Sequence, residues 1–189
     1  MYLYVKKVLD RLTAIVLLVI TFLPLLIIGV IGSIIDRGPI IFSQSRGGRN
    51  GRVFTIYKMR TMQNGEITSF GRMMRRWSLD ELPQLWNIVI GDMSFIGPRP
   101  LLTEYEGFYS KEQKRRQLVT PGITGLAQVN GRNELGWERR FELDVEYVEK
   151  QSLLLDLKIL IKTARQVFNR KSADFHLNKH PKFSEQATN

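Results

Sequence analysis

The chain contains no cysteine, which excludes disulfides and any metal or iron–sulfur centre held by thiolates. Histidine is almost missing as well. The two present, His176 and His180, fall in a polar, aperiodic C-terminal stretch, where their i, i+4 spacing reads as solvated side chains rather than a helical zinc pair. The glycine-rich Arg46-Gly47-Gly48-Arg49-Asn50-Gly51 is not followed by Gly-Lys-Ser/Thr, so it is not a Walker loop. No internal repeat is visible. Acidic residues are scarce early on: residues 1–76 hold 12 Lys/Arg against 3 Asp/Glu, and the remainder is nearly balanced within a net charge of +10. Such a basic collar suits anionic membrane lipids or a phosphorylated ligand. No nucleic-acid-binding motif accompanies it, so nucleic acid is not expected as a partner.

Charge is missing altogether from Leu12 to Ile35, a run of 24 residues. As a helix it would be about 36 Å long, against roughly 30 Å of bilayer hydrocarbon. It is too long for the apolar region of a signal peptide, and no small-x-small cleavage site follows closely. Pro24 lies at its middle, where it removes a backbone bond and favours a kink. Lys6, Lys7 and Arg11 precede the run, and Arg37, Arg46, Arg49 and Arg52 follow it. The positive-inside rule therefore wants both ends cytoplasmic. A spanning helix and a re-entrant hairpin both stand at this point, since proline is tolerated in spanning helices too.

Residues 37–170 predict one α+β, helix-rich domain. Residues 40–43 and 53–57 read as the strands of a short β-hairpin around the glycine-rich loop. Thr68 or Ser69 caps a helix to Trp77 with an apolar stripe of Phe70, Met73, Met74 and Trp77. Leu85–Ile90 is an apolar element stopped by Gly91, and Pro98-Arg99-Pro100 forces a stiff extended bend. Glu104–Leu118 reads as a polar helix, and Pro121–Asn133 as a loop. Trp137, Phe141, Val145 and Val148 mark an amphipathic helix, and Leu153–Phe168 a last one with a broad apolar face. The amphipathic helices either pack on the core or lie in the headgroup region. Residues 171–189 read as a loose polar tail.

Chemistry concentrates at Ser78-Leu79-Asp80-Glu81-Leu82-Pro83-Gln84-Leu85. Ser78-x-x-Glu81 has the spacing of a capping box, although Pro83 sits awkwardly in that reading. The other reading is carboxylate chemistry on a phosphorylated substrate. Lys58, Arg60, Arg99 and Arg132 are candidate phosphate ligands, each in or beside a segment broken by Gly or Pro, with solvated surface charge as the alternative. Arg99 stands out, because flanking prolines stiffen its backbone and guanidinium grips phosphate oxygens in pairs. Gln128 and Asn130 could hydrogen-bond a base or sugar, or simply form turns. A carboxylate such as Asp80 beside a pyrophosphate suits Mg²⁺.

Taken in order, Tyr57–Met62, Ser78–Leu85, Gly91–Pro100 and Pro121–Asn133 resemble the bacterial sugar transferases of the small monotopic phosphoglycosyl transferase type, over about residues 3–170. The resemblance implies a re-entrant membrane helix hairpin over residues 1–36 broken at Pro24, a catalytic domain over 37–170, and a place at the bacterial inner membrane with that domain on the cytoplasmic face. It implies transfer of a sugar 1-phosphate from a UDP-sugar to undecaprenyl phosphate with Mg²⁺, releasing UMP. An N-acetylated hexosamine or dideoxy derivative leads as the sugar, and plain hexoses follow. Asp80 would be the nucleophile that carries the phosphosugar covalently and lies near Mg²⁺, Glu81 its assistant, and Arg99 the phosphate clamp. Leu23 stands where related members often carry serine, and the segment between Met62 and Phe70 is short, implying a trimmed loop over the site. The alternative to this enzyme is a non-catalytic basic module that binds membrane surfaces. Homodimerisation is left open.

Overall fold

A computed structural model describes residues 2–131, 135–168 and 183. Helix α1 runs from Tyr2 to Ile35 as one element with Pro24 inside it. The backbone stays helical across the proline, with no unwound residue between the two halves of the run. Proline deprives only the Ile20 carbonyl of its i+4 donor, and the apolar flanks carry the helix through. A stripe of α1 faces the rest of the chain, with Ala14, Gly29 and Gly32 buried. The glycines admit close approach: a Cβ on Gly29 would lie 2.5 Å from Ile40 Cγ2, and one on Gly32 would lie 2.3 Å from the Phe70 ring. Most of α1 remains bare, with only 11% of its apolar window buried.

Strands β1 (Ile41–Gly47) and β2 (Val53–Met59) pair antiparallel in register Ile41↔Met59 to Gly47↔Val53. The hairpin is longer than read from sequence, because Ser45, Arg46 and Gly47 continue the ladder and the loop begins only at Gly48. The short segment after Met62 is a second hairpin, β3 (Met62–Gln63) and β4 (Glu66–Ile67). Asn64 and Gly65 at its tip both have positive φ, as a two-residue Asn-Gly turn requires. Helix α2 (Ser69–Arg76) starts where expected: Thr68 Oγ1 accepts from the Gly71 amide. Its stripe is only half used, since Met74 is buried while Met73 and Trp77 are exposed.

Helix α3 (Gln84–Ile90) ends at Gly91 in the left-handed conformation, as the sequence predicts. Its fully buried Asn87 fastens the helix to β2, with Nδ2 donating to the Thr55 carbonyl at 2.7 Å and Oδ1 accepting from the Tyr57 amide at 3.3 Å. Ala14 of α1, Phe54, Ile56, Leu85, Ile88 and Met93 close the first core around that joint.

The predicted polar helix 104–118 breaks into shorter pieces. A 3₁₀ segment Thr103–Phe108 is followed by α4 (Lys111–Lys114), opened by a capping box between Ser110 and Gln113, and by a second 3₁₀ turn Arg115–Leu118. Gly107 and the Ser110 cap divide what the polar composition ran together. The predicted loop 121–133 also contains structure: β6 (Gly122–Thr124) pairs parallel with β5 (Ser94–Ile96), and α5 (Leu126–Val129) follows. Backbones at Gly97 and Gly122 approach so closely that a Cβ on Gly122 would meet Gly97 N at 2.1 Å. Gly122 reads as a loop signal because its need comes from a distant segment.

Helices α6 (Trp137–Lys150) and α7 (Leu153–Phe168) occur as predicted. In α7 the polarity is inverted. Asp156 and Ile159 are buried, while Leu153, Leu154, Leu157, Leu160, Ile161 and Phe168 are exposed. Together with α1, this is far more bare apolar side chain than a solvated surface carries, and it points to an apolar medium. Of the expected polar tail only Phe183 lies among the described residues; it packs against Tyr105, Tyr109, Trp137 and Phe141. His176 and His180 lie outside them.

Removing the Asn87 amide strips two bonds from a side chain with no access to water. Asn87→Ala is expected to cost about 2–3 kcal/mol of unfolding free energy, measured by denaturation in detergent. A loss below roughly 0.5 kcal/mol would mean that the amide does not fasten α3 to the hairpin.

Candidate active site

A cavity of about 690 Å³ opens between β1–β2, α2, the turn after it, the Pro98–Pro100 bend, α6 and α7. Asp80 and Glu81 both line it, on a 3₁₀ turn of Leu79–Glu81. The capping-box reading fails here. Ser78 has φ 54 and its side chain makes no cap bond, and Glu81 points to cations instead of back to Ser78. A non-glycine residue in the left-handed region costs about 1–2 kcal/mol. That strain sits two residues before Asp80, where it turns both carboxylates towards the cavity.

Glu81 Oε1 accepts from Lys58 Nζ at 2.7 Å and from Arg99 Nη2 at 2.9 Å. Lys58 arrives from β2 and Arg99 from the proline-framed bend, so one carboxylate oxygen joins three segments. Burial by itself would raise the Glu81 carboxyl, but Lys58 and Arg99 outweigh it and hold it well below the usual carboxylate range. Glu81 in turn raises Arg99. Lys58 is lowered by burial, with Glu81 opposing.

Asp80 is 8% exposed and has no hydrogen-bond donor among the described residues. Burial, then the Glu81 charge, raises its carboxyl above the ordinary value, against the pull of Lys58, Arg75 and Arg99. The adjacent acids therefore diverge: one is locked as an anion in a salt bridge, and the other is held less solvated beside three cations.

The wider lining holds seven Lys/Arg side chains against three carboxylates, a surplus suited to a polyanion. Arg75 is aimed by Nε donating to Thr61 Oγ1 at 2.8 Å. Burial, and then Arg99, lowers Arg46 to about 10, so it stays charged at neutral pH. Arg116 is buried and donates from Nε to Asp144 Oδ2 at 2.9 Å and from Nη2 to the Arg99 carbonyl at 2.5 Å. It thus grips the backbone of the bend that carries Arg99.

Of the residues singled out by sequence, Asp80, Glu81, Lys58, Arg60, Arg99 and Gln128 share this cavity. Arg60 also works structurally, donating to the Asp36 carbonyl at the end of α1. Gln128 holds both amide atoms sealed from solvent without a partner among the described residues. Asn130 does not line the cavity; it caps α5, donating to the Leu126 carbonyl and accepting from Lys162. Arg132 lies outside the described residues. Arg46, Arg75, Arg116 and Asp144 escaped the sequence reading. Asp144 alone left a signal, an acid on the apolar face of α6, three residues after Phe141 and seven after Trp137.

No group of three His, Asp or Glu side chains placed to hold a metal ion occurs among the described residues. Glu81 is taken up by Lys58 and Arg99, and Asp144 by Arg116, so a divalent ion would find one uncommitted carboxylate, Asp80, in the cavity. That donor set fits Mg²⁺, which is commonly held by one or two carboxylates together with the phosphate oxygens of a ligand.

The family described as bacterial sugar transferase matches residues 1–170. The chain is 45% identical over 174 residues to the "uncharacterized sugar transferase EpsL" of Bacillus subtilis, covering 86% of each. It is 38% identical to the UDP-glucose:undecaprenyl-phosphate glucose-1-phosphate transferase of Caulobacter vibrioides, covering 89% of this chain and 71% of that one. It is 34% identical to the undecaprenyl-phosphate galactose phosphotransferase of Salmonella typhimurium, over 90% of this chain but 42% of the relative.

Because the fold disfavours the Asp80 anion more than the unfolded chain does, neutralising it should stabilise the protein. Asp80→Asn is expected to melt higher than the parent at neutral pH. The gain should shrink as pH falls through the raised Asp80 value, where the parent becomes neutral as well. A lower melting temperature for the variant at neutral pH would show that the surrounding cations outweigh burial.

Proposed function

This chain belongs to the bacterial sugar transferase family, and from that premise and its site we propose that it transfers a sugar 1-phosphate from a UDP-sugar to undecaprenyl phosphate. The observation that carries the reading is the pairing of an unbonded, buried Asp80 with a Glu81 locked between Lys58 and Arg99, inside a cation-lined cavity.

An Asp80 carboxylate oxygen attacks the sugar-bearing phosphorus of the UDP-sugar. A new P–O bond forms, the bond to the bridging oxygen breaks, and UMP departs with that oxygen. A phosphate oxygen of undecaprenyl phosphate then attacks the same phosphorus. The acyl–phosphate bond breaks, Asp80 is restored as a carboxylate, and the sugar leaves on a polyprenyl diphosphate. Arg99, fixed by Glu81 and gripped through its carbonyl by Arg116, stabilises the phosphate through both steps. Arg46 and Arg75 add charge where the diphosphate enters. Asp80 is the residue that would hold Mg²⁺, and a bound ion would offset charge that otherwise repels the nucleophile. The unpaired amide of Gln128 offers one donor and one acceptor, which matches the imide edge of uracil or a sugar hydroxyl.

We read α1 as re-entrant, with both ends at the cytoplasmic face of the inner membrane. Supporting this, both ends of the helix grip the same domain. Lys6 pairs with Asp156 at 2.5 Å and Asp10 accepts from Ser94, while Gly29 and Gly32 seat against Ile40 and Phe70. A straight span with the domain at one end could not make both sets of contacts. On the sugar, relatives named for glucose and galactose bring plain hexoses level with the N-acetylated hexosamines that sequence resemblance put first.

Full-length protein with undecaprenyl phosphate and a panel of UDP-sugars should release UMP from at least one of them. Asp80→Asn should lower that rate by at least about 10³-fold and abolish a phosphosugar adduct on position 80 seen by mass spectrometry. Turnover in that variant would defeat the covalent scheme, and no UMP from any donor would favour a non-catalytic membrane-binding module. Glu81→Gln offers a finer check. It removes an anion that raises Asp80 and frees two cations that lower it, so the acid limb of the rate profile should move to lower pH while the maximal rate falls. A limb that stays put or rises would show that Asp80 is not the titrating nucleophile.

A further inference from the structure

A second cavity, of about 450 Å³, lies against the N-terminal turns of α1 and shares no lining residue with the Asp80 cavity. One wall is the charged stripe of α1, including Lys7 and Arg11; the opposite wall is the turn that carries Arg49 and Arg52. None of these four side chains has a hydrogen bond or ion pair among the described residues. Arg11 is seated against backbone, for a Cβ on Gly91 would meet its Nη2 at 2.3 Å. The carboxylates in the lining are Asp10 and Asp92. Asp10 is occupied, accepting from Ser94 Oγ at 2.5 Å with Lys6 at 3.9 Å, and Lys6 pairs more closely with Asp156. Asp92 offsets one of the four free cations. The surplus is unlike solvated surface charge in one respect: two elements 40 residues apart in sequence bring it together around a concave space.

We propose that this cavity holds the phosphate of an anionic phospholipid headgroup. The neighbouring residues of α1 select lipid over a soluble phosphate. Leu3 lines the cavity, and Tyr4, Val5, Val8, Leu9 and Leu12 lie exposed on the same three turns. A ligand bearing phosphate and acyl chains satisfies both faces at once, with guanidinium pairs matching phosphate oxygens. The site fixes the first turns of α1 at the headgroup level. It stands apart from the transfer reaction, so either reading can fail without the other.

The test uses full-length protein in detergent, titrated with dioctanoyl phosphatidylglycerol and followed by native mass spectrometry. Dioctanoyl phosphatidylcholine serves as the neutral lipid and inorganic pyrophosphate as the soluble anion. The parent should retain phosphatidylglycerol in preference to phosphatidylcholine, and pyrophosphate should compete only weakly. The double variant R49Q/R52Q should bind that lipid roughly thirtyfold more weakly. R72Q/R76Q, which removes equal charge from the exposed face of α2, should bind like the parent. Equal loss in both doubles would overturn the site in favour of diffuse surface charge. Undiminished binding in R49Q/R52Q would overturn it directly, and pyrophosphate binding as tightly as the lipid would assign the cavity to a soluble anion instead. Should R49Q/R52Q fail to fold, as judged by its melting curve, R11Q carries the same comparison.

Discussion

One carboxylate oxygen, on Glu81, holds the reactive end of this molecule together. Three segments far apart in sequence converge on it: β2 through Lys58, the 79–81 turn, and the Pro98–Pro100 bend through Arg99. The convergence does not stop there. The carbonyl of Arg99 is held by Arg116, and Arg116 is held by the buried Asp144 of α6. Two sets of ion pairs, joined through the Arg99 backbone carbonyl, thus cross the domain from hairpin to helix. Each member is costly to remove from water, so each set is tolerable only when complete; a missing partner leaves an uncompensated buried charge. That requirement ties the geometry of the proposed phosphate clamp to the integrity of the fold.

A second tie connects this interior to the apolar surface. Asp156 is buried in a helix whose outer face is leucine, and it accepts from Lys6, Tyr2 and Tyr147. One acid therefore joins α1, α6 and α7. About two turns along the same helix, Thr163 meets Thr124 at 2.7 Å in the wall of the Asp80 cavity. The helix that offers its leucines outward also lines the cavity inward. A membrane that takes up those leucines would fix the height of the cavity above it, which suits a donor arriving from water and an acceptor that cannot leave the lipid.

What could be read in the sequence follows from how local each signal is. The α1 run, the Thr68 cap, the Gly91 stop and the stripe of α6 depend on near neighbours, and they appear where expected. The Asn64-Gly65 hairpin was equally local and legible, but it went unread inside a segment judged only by its length. The parallel pairing of β5 with β6 was not legible, because Gly97 and Gly122 are required by each other's backbone 25 residues away. The acidic pair was found, and the cations that define it only in part. Lys58 and Arg99 stood out through their segments. Arg46, Arg75 and Arg116 looked like ordinary solvated charge, since their role comes from a three-dimensional meeting that spacing does not encode. Asn130 shows the reverse error: an amide in a promising motif whose partners are the helix it caps and a surface lysine.

Adjacent acids in one turn would ordinarily compete for the same cations, and the asymmetry of their partners decides the outcome. Glu81, with the longer side chain, reaches Lys58 and Arg99 and bonds both. Asp80, one carbon shorter and buried beside them, gains their field without being bonded by them. A carboxylate bonded twice is a poor nucleophile, because its lone pairs are engaged and its charge is stabilised where it stands. An unbonded one, raised by burial and by its neighbour, has less to lose on forming a bond. In the proposed reaction the approaching diphosphate brings negative charge, and that is when the field of Lys58, Arg75 and Arg99 counts most. Exchanging the two residues would place the longer side chain in the gap and leave the shorter one out of reach of its cations. In the proposed reaction their order along the chain, and not merely their presence, sets which acid attacks.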